Sequence, residues 1–511
     1  MLAVATVGSR ALGLAREVVV AALFGASDAR AAFVIGYYVP FFVQRLLIGG
    51  TLSIVLIPTL AEALARGDPD EIQAVASRLF TAVLAVGLAM VAGGAVLAPG
   101  LVRLAAPGFG ADPAQLSLTV ALTRINFVAM LFLAMAIFAT AFLQARRRFA
   151  PPAVAPLVFN AVIIAGVLLL GPRIGIVGLS VAWIAGTAAQ FLVQVPALRA
   201  GGFRFRWVPD WSHPAIRTVG RLAVPAMVGL AVVEINAYVG RFLASLLPGA
   251  PGVNAVAVLD YAFEMVQAPV GILAISVATV LFPGMSEQAA SGDSAALRRT
   301  ASLGVRAVLF LTLPVSVGLV VFSQPVVRLV FERGEFGPAT TAAVSACMAA
   351  YAAGLVPMAA YYVVTRVYYA MRDMRTPVAV GAAMVVLNAG LAYAFMRAWG
   401  VAGIALAAAA AALANVAVLL GLLSARLGPL EGRRIVGAGL RVGLATALAI
   451  GAGWVLVGYW NPWPGTGWLS DAATLASAGT AAVLVYLGAC ALLRVEEVGL
   501  LRGLMGGRVR L

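Results

Sequence analysis

Residues 253–285 read VNAVAVLDYAFEMVQAPVGILAISVATVLFPGM. The run is long enough to cross a bilayer, whose hydrocarbon core asks for about 20 apolar residues in a helix. It lacks the strict alternation of a barrel strand. Yet Asp260, Glu264 and Gln267 stand within it at i, i+4 and i+7, one stripe on a helix. A charge at the centre of a membrane helix costs roughly 2.5–3.5 kcal/mol on insertion scales. Such a stripe is tolerable only against protein or a water-filled cavity. The stretch therefore predicts a helical membrane bundle with a polar interior.

The pattern extends over the chain. Of 511 residues, 63% are hydrophobic and 11% charged, and the mean hydropathy is +1.02, outside the range of soluble globular proteins. Fourteen apolar runs are predicted to span: 2–24, 31–62, 72–104, 115–145, 152–171, 174–198, 216–247, 253–285, 297–330, 339–370, 376–397, 401–424, 435–460 and 471–493. Several exceed the hydrocarbon thickness, so tilt or helical ends outside it are expected. The fold class is thus an all-α polytopic membrane protein.

All 35 basic residues are arginine, and the formal charge is +15. The arginines gather in short loops, which fits membrane topology better than nucleic-acid binding. With the N-terminus inside, the cytoplasmic side holds Arg146, Arg147, Arg148, Arg199, Arg298, Arg299, Arg372, Arg375, Arg433 and Arg434, among others. The outer side holds only Arg30, Arg103, Arg173, Arg328, Arg333 and Arg397. Both termini are expected in the cytoplasm. Cys347 and Cys490 support neither a disulfide framework nor a metal site, and His213 reads as a surface residue. No cleavable signal peptide, nucleotide-binding loop, nucleophile–base pair or metal set is apparent, so neither an enzyme nor a cofactor is expected.

The chain also repeats. Pro58, Glu62, Gly67 and Asp68 recur 225 residues later as Pro283, Glu287, Gly292 and Asp293. Arg103 recurs as Arg328, Gly178 as Gly403, and Asn160 near the same offset as Asn388. Helices 1–6 and 7–12 read as two copies of a six-helix unit. An even number of helices keeps the orientation, so the copies are related by a pseudo-two-fold along the membrane normal. The expected division is an N-terminal lobe at 1–200, a cytoplasmic linker at 201–217, a C-terminal lobe at 218–427, and helices 13 and 14 with a tail at 428–511. Such bundles place substrate between the lobes and expose it by alternating access.

The intramembrane charges are the candidate site. Helix 1 carries Arg10, Arg16 and Glu17, with Glu17 offsetting one arginine. Arginine donates in a planar fork suited to phosphate oxygens. The alternative for Arg10 is snorkelling to the cytoplasmic interface. Helix 2 carries Arg45, with Pro40, Gly49 and Gly50 as a hinge. Helix 4 carries Arg124 and Asn126, the arginine either in the cavity or near the outer face. Helix 7 carries Glu234, Tyr238 and Arg241 in one stripe, expected to face the Asp260–Glu264 stripe. These groups form either a structural ion pair or a site for substrate or for a coupling proton or sodium ion.

Together these residues resemble the MurJ (MviN) lipid II flippases of the multidrug/oligosaccharidyl-lipid/polysaccharide exporter superfamily. The likeness runs through SRALGLAREVVVAALFGA (9–26), LIPTLAEA (56–63), RLAAPGF (103–109), LTRINF (122–127), QARRRFAPPAVAPLVFN (144–160), residues 242–283, FERGEF (331–336) and YYAMRDMRTPV (368–378). It implies fourteen helices, a cationic cavity, and a lipid-tail groove involving helices 13 and 14. The implied cargo is lipid II, an undecaprenyl diphosphate bearing a disaccharide-pentapeptide. Arg10, Arg16 and Arg45 would take the cavity-arginine roles, and Arg241 matches an arginine of many members. Some members bind sodium, and Glu234 and Asn388 are the candidates for that here. The chain departs from the family at Ala31, Gly49 and Glu264, where acidic, acidic and basic residues are usual, and at Gln44. The first lobe is left with the arginine excess and the second is net acidic. Diphosphate is therefore expected on the first and a coupling cation on the second, with the membrane potential or an ion gradient driving the cycle. A monomer among membrane lipids is expected. The rival readings are an exporter of another polyprenyl-linked glycan, a cation-coupled drug antiporter of the same superfamily, and a non-transporting scaffold.

Overall fold

A computed structural model describes residues 2–49, 69–211, 217, 234–249, 252–459 and 467–499. These form helices and the turns between them, the all-α polytopic architecture expected. In chain order they are α1 (Leu2–Phe24), α2 (Asp28–Gln44, continued by a π turn at Arg45–Gly49), α3 (Pro69–Ala105), α4 (Pro113–Ala145), α5 (Ala150–Ile174), α6 (Ile176–Leu192), α7 (Val195–Ala200) and α8 (234–245). Then follow α9 (Ala255–Ala290), α10 (Ser294–Val321), α11 (Ser323–Phe331), α12 (Pro338–Ala353), α13 (Leu355–Ala370), α14 (Arg375–Leu427), α15 (Gly432–Tyr459) and α16 (Trp468–Leu492). Among the described residues nine helices are long and apolar enough to cross a membrane, and α12 with α13, bent by 41°, makes a tenth. Gly50, His213 and the Pro58–Asp68 copy of the repeat lie outside the described residues, as do parts of the spans at 31–62 and 216–247.

Local chemistry sets the helix starts. The Ser27 hydroxyl accepts from the Arg30 N–H at 3.3 Å. Asp112 accepts from Ala114 N–H at 2.8 Å, with Pro113 as first helical residue. Asp293 accepts from Ala296 N–H at 2.8 Å. Each supplies an acceptor that the first turn lacks. The run at 297–330 divides at Phe322, whose φ of −100° and ψ of 22° end α10 and start α11.

The repeat is visible in backbone geometry. Gly175 joins α5 to α6 at φ 60°, ψ −144°, and Gly400, 225 residues later, breaks α14 at φ 56°, ψ −137°. Three residues on, a Cβ at Gly178 would lie 2.8 Å from the Leu170 backbone carbon, and one at Gly403 2.2 Å from the Phe395 carbonyl oxygen. Both glycines let two helices turn back against each other. The halves of α14, 375–398 and 401–427, fold back so fully that Arg426 pairs with Asp373. The helix ends match too. Arg147 and Arg372 take the left-handed conformation at φ 57° and 60°. At the first, N–H groups of 146, 147 and 148 donate to carbonyls 142, 144 and 143; at the second, those of 371, 372 and 373 donate to 367, 369 and 368. A left-handed residue here turns the chain so that the last carbonyls find donors.

The chain divides into two compact units, Met1–Ala257 with Arg333–Gly337, and Val258–Glu332 with Pro338–Leu511. In the first, Phe80, Phe138, Phe142 and Phe203 form an aromatic core. Residues 204–210 run along α3. Gln73 Oε1 accepts from Arg204 N–H at 2.9 Å, Thr81 Oγ1 from Val208 N–H at 3.2 Å, and Arg78 pairs with Asp210 at 3.1 Å. From Gln73–Arg204 to Thr81–Val208, eight residues of helix and four of extended chain advance by about the same length, roughly 12–13 Å, and Arg78 reaches past them to Asp210. In the second unit, Tyr486 donates to the Phe310 carbonyl at 2.6 Å and Arg306 pairs with Glu497 at 2.7 Å, docking α16 on α10. Val436, Leu440, Leu444 and Leu448 of α15 are all exposed, a face fit for lipid tails.

Candidate functional site

The charges of α1 and α2 assemble into one buried cluster in the first unit. Glu17 is its centre. Its Oε1 accepts from Arg16 Nη2 at 2.7 Å and Nε at 3.1 Å. Its Oε2 accepts from Arg30 Nη2 at 3.3 Å. Glu17 therefore offsets two arginines rather than one. Arg30 was expected in an outer loop, but only 4% of it is exposed. The turn at Gly25–Ser27 is tight enough that Arg30, one turn into α2, faces back onto α1.

Arg16 is held by a carboxylate, an amide and two aromatic rings, with 14% of its side chain still exposed. Nη1 donates to Asn160 Oδ1 of α5 at 3.0 Å. Asn160 is itself oriented by donating to the carbonyls of Pro156 at 3.0 Å and Ser9 at 3.3 Å. The guanidinium carbon lies 4.8 Å from the centre of the Trp183 ring and 5.9 Å from that of Phe159. Cation–π contact with a flat aromatic face fixes the plane of the fork. Trp183 is braced by edge contacts with Phe33 and Tyr37 at 5.6 and 4.8 Å.

A second group joins α2 to α8. Arg45 Nε pairs with the Glu234 carboxylate at 2.8 Å. One turn further along α8, the Tyr238 hydroxyl donates to the Tyr38 carbonyl. Arg241 stacks over the Tyr38 ring, 3.5 Å from its centre, and donates to the Ala237 carbonyl at 2.9 Å. The α8 stripe seen in the sequence thus has partners on α2. Arg45 opens the π turn, and its N–H is shared between the carbonyls of Phe41 and Phe42. Single π turns are frequent at functional sites. Pro40 lies inside α2, and Gly49 closes the π turn.

The remaining candidates are placed elsewhere. Arg10 is exposed on α1. Arg124 is exposed and donates to the Ala95 carbonyl of α3 at 2.9 Å. Asn126 is fully buried and donates to Ser180 Oγ at 3.2 Å, tying α4 to α6. In the second unit, Asp260 and Asn388 are buried, and Glu264 is exposed on α9. Sequence reasoning missed Arg30, the bracing by Asn160, and Trp183. An amide inside an apolar run is the one usable signal, and in the sequence Asn160 reads only as a marker of the repeat.

The second unit also holds an apolar groove of about 430 Å³ between α10, α15 and α16. Phe310, Pro314, Phe322, Ile450, Val457 and Tyr486 are among its walls.

Residues 20–467 match the family described as lipid II flippase MurJ. The chain belongs to this family. It is 31% identical over 424 residues to the probable lipid II flippase MurJ of Vibrio cholerae, covering 81% of this chain and 80% of that relative. It is 30% identical over 425 residues to the lipid II flippase MurJ of Burkholderia cenocepacia, covering 81% of each. Among solved structures, MurJ in an inward closed conformation superposes with a TM-score of 0.78 at 22% identity, covering 96% of this chain and 98% of that one. An inward-facing MATE multidrug transporter of the MOP superfamily gives 0.68 at 14% identity, covering 83% and 96%. At such identities the likeness shows the fold. MurJ membership and the long apolar helices make this a multi-pass membrane protein of a transporter family.

Proposed function

We propose that this chain flips lipid II from the cytoplasmic to the outer leaflet of a bacterial inner membrane by alternating access. It acts as a monomeric transporter with both termini in the cytoplasm, and carries out no covalent chemistry. The observation that carries this reading is Arg16. In a chain of the MurJ family, a membrane helix pays to bury a guanidinium and then fixes its plane with Glu17, Asn160 and Trp183. A planar, always-charged fork held rigid is suited to a diphosphate. Arg45, with 44% of its side chain exposed, is the accessible second cation. The groove along α10, α15 and α16 supplies an apolar bed for the polyprenyl tail, whose burial is favourable by about 25 cal/mol per Å².

Complementation of a bacterium depleted of its own lipid II flippase tests the reading, with wild type beside Arg16→Ala and Arg45→Ala. Wild type should restore growth, and both variants should fail while still accumulating in the membrane. A folded, inserted wild type that does not complement would remove the lipid II assignment. Full activity of both variants would remove the arginine clamp.

A further inference from the structure

The Arg45–Glu234 pair is lopsided. The arginine side chain is 44% exposed, whereas the carboxylate side chain is 10% exposed. An anion arriving from solvent reaches Arg45 first, and a guanidinium turned fully to a diphosphate leaves the carboxylate behind. A buried carboxylate stripped of its partner is strongly disfavoured and must recover a positive charge. Among the described residues, Arg45 is the one cation paired with Glu234. Tyr238, one turn along α8, carries no charge to offer and donates its hydroxyl to the Tyr38 carbonyl. Arg241, two turns along the same helix, sits over the Tyr38 ring and donates to the Ala237 carbonyl. A proton needs only the carboxylate itself, whereas a metal ion asks for several oxygen ligands.

We infer that Arg45 is shared between Glu234 and the diphosphate of the cargo, so that cargo binding is linked to uptake of one proton by Glu234. This rests on the flippase reading and adds the coupling ion to it. On binding, the guanidinium moves from carboxylate to phosphate oxygens, and water delivers a proton to the Glu234 carboxylate. On release, the proton leaves and the ion pair closes again. The cargo thus crosses with one negative charge of the site cancelled by a proton.

The test is calorimetry on the full chain in nanodiscs, with a short-chain lipid II analogue as ligand. Its diphosphate is esterified at both ends and holds no proton near neutrality, so any proton exchange belongs to the protein. Titrations in two buffers of different ionisation enthalpy count the protons. Wild type should take up close to one proton per ligand, and its affinity should fall up to about tenfold per pH unit through the titration of the liganded site. Glu234→Gln should still bind, with no proton uptake and no such pH slope. Binding by wild type without proton exchange would overturn the inference and leave the flippase reading intact. So would uptake that persists in Glu234→Gln, or an affinity that follows sodium concentration instead of pH. No binding by wild type at any pH would overturn the flippase reading, and the inference with it.

Discussion

Glu17→Gln strands two arginines at once. The carboxylate offers Oε1 to Arg16 and Oε2 to Arg30, so each oxygen balances a different guanidinium. Glu17 is 8% exposed and Arg30 is 4% exposed, which leaves little water to take over the lost charge. Removing one partner of a buried pair costs roughly 3–5 kcal/mol, because the remaining charge is uncompensated. Glutamine keeps the shape and one acceptor oxygen, which favours the lower end, about 3 kcal/mol. That is roughly two orders of magnitude in the folding equilibrium. Denaturant unfolding of the purified protein in detergent reads it directly. Adding Arg30→Met to Glu17→Gln removes one stranded charge and should recover at least about 1.5 kcal/mol, as coupling between contacting residues requires. A Glu17→Gln protein within about 0.5 kcal/mol of wild type would refute the account, as would a double variant no more stable than Glu17→Gln alone.

Two further predictions concern the turns at Arg147 and Arg372. Arg147 and Arg372 occupy left-handed backbone, where a side chain costs roughly 1 kcal/mol and glycine almost nothing. Arg147→Gly and Arg372→Gly should each raise the unfolding free energy by about that amount; no gain at either would mean the arginine side chain repays its backbone. Asp373 is held well below the usual carboxylate range by hydrogen bonds from the Thr376 hydroxyl and N–H, helped by Arg426. Because its folded value is lowered, its stabilisation is complete above the unfolded value of about 3.9 and is lost as pH falls through the folded one. The stability gap between wild type and Asp373→Asn, about 1 kcal/mol for a lost cap, should stay constant down to about pH 4 and shrink below it. A gap that closes near neutral pH would contradict this.

Much of the helical frame was legible because its causes are local. Apolar runs and the paired Gly178 and Gly403 act within a few residues of their own position. Arg30 was not legible. A window around it shows a polar turn, Gly25-Ala26-Ser27-Asp28, and gives no sign that the turn folds Arg30 onto Glu17. The split of one long run at Phe322 was equally hidden, since its residues are as apolar as those on either side. Asn160 was seen as a repeated residue but not as the support of Arg16, because that role depends on α5 packing beside α1.

By itself the sequence determined that the chain lies in a membrane as helices, that its units are duplicated, and that its charges must be shielded from lipid. Transfer free energy and helical period decide those matters, and both can be summed along a chain. Only the tertiary structure decided which charge meets which. Glu17 takes Arg16 and Arg30, and Glu234 takes Arg45 across a long stretch of chain. Ion-pair energy varies with separation and with the surrounding dielectric, and both quantities come into being only when the helices pack.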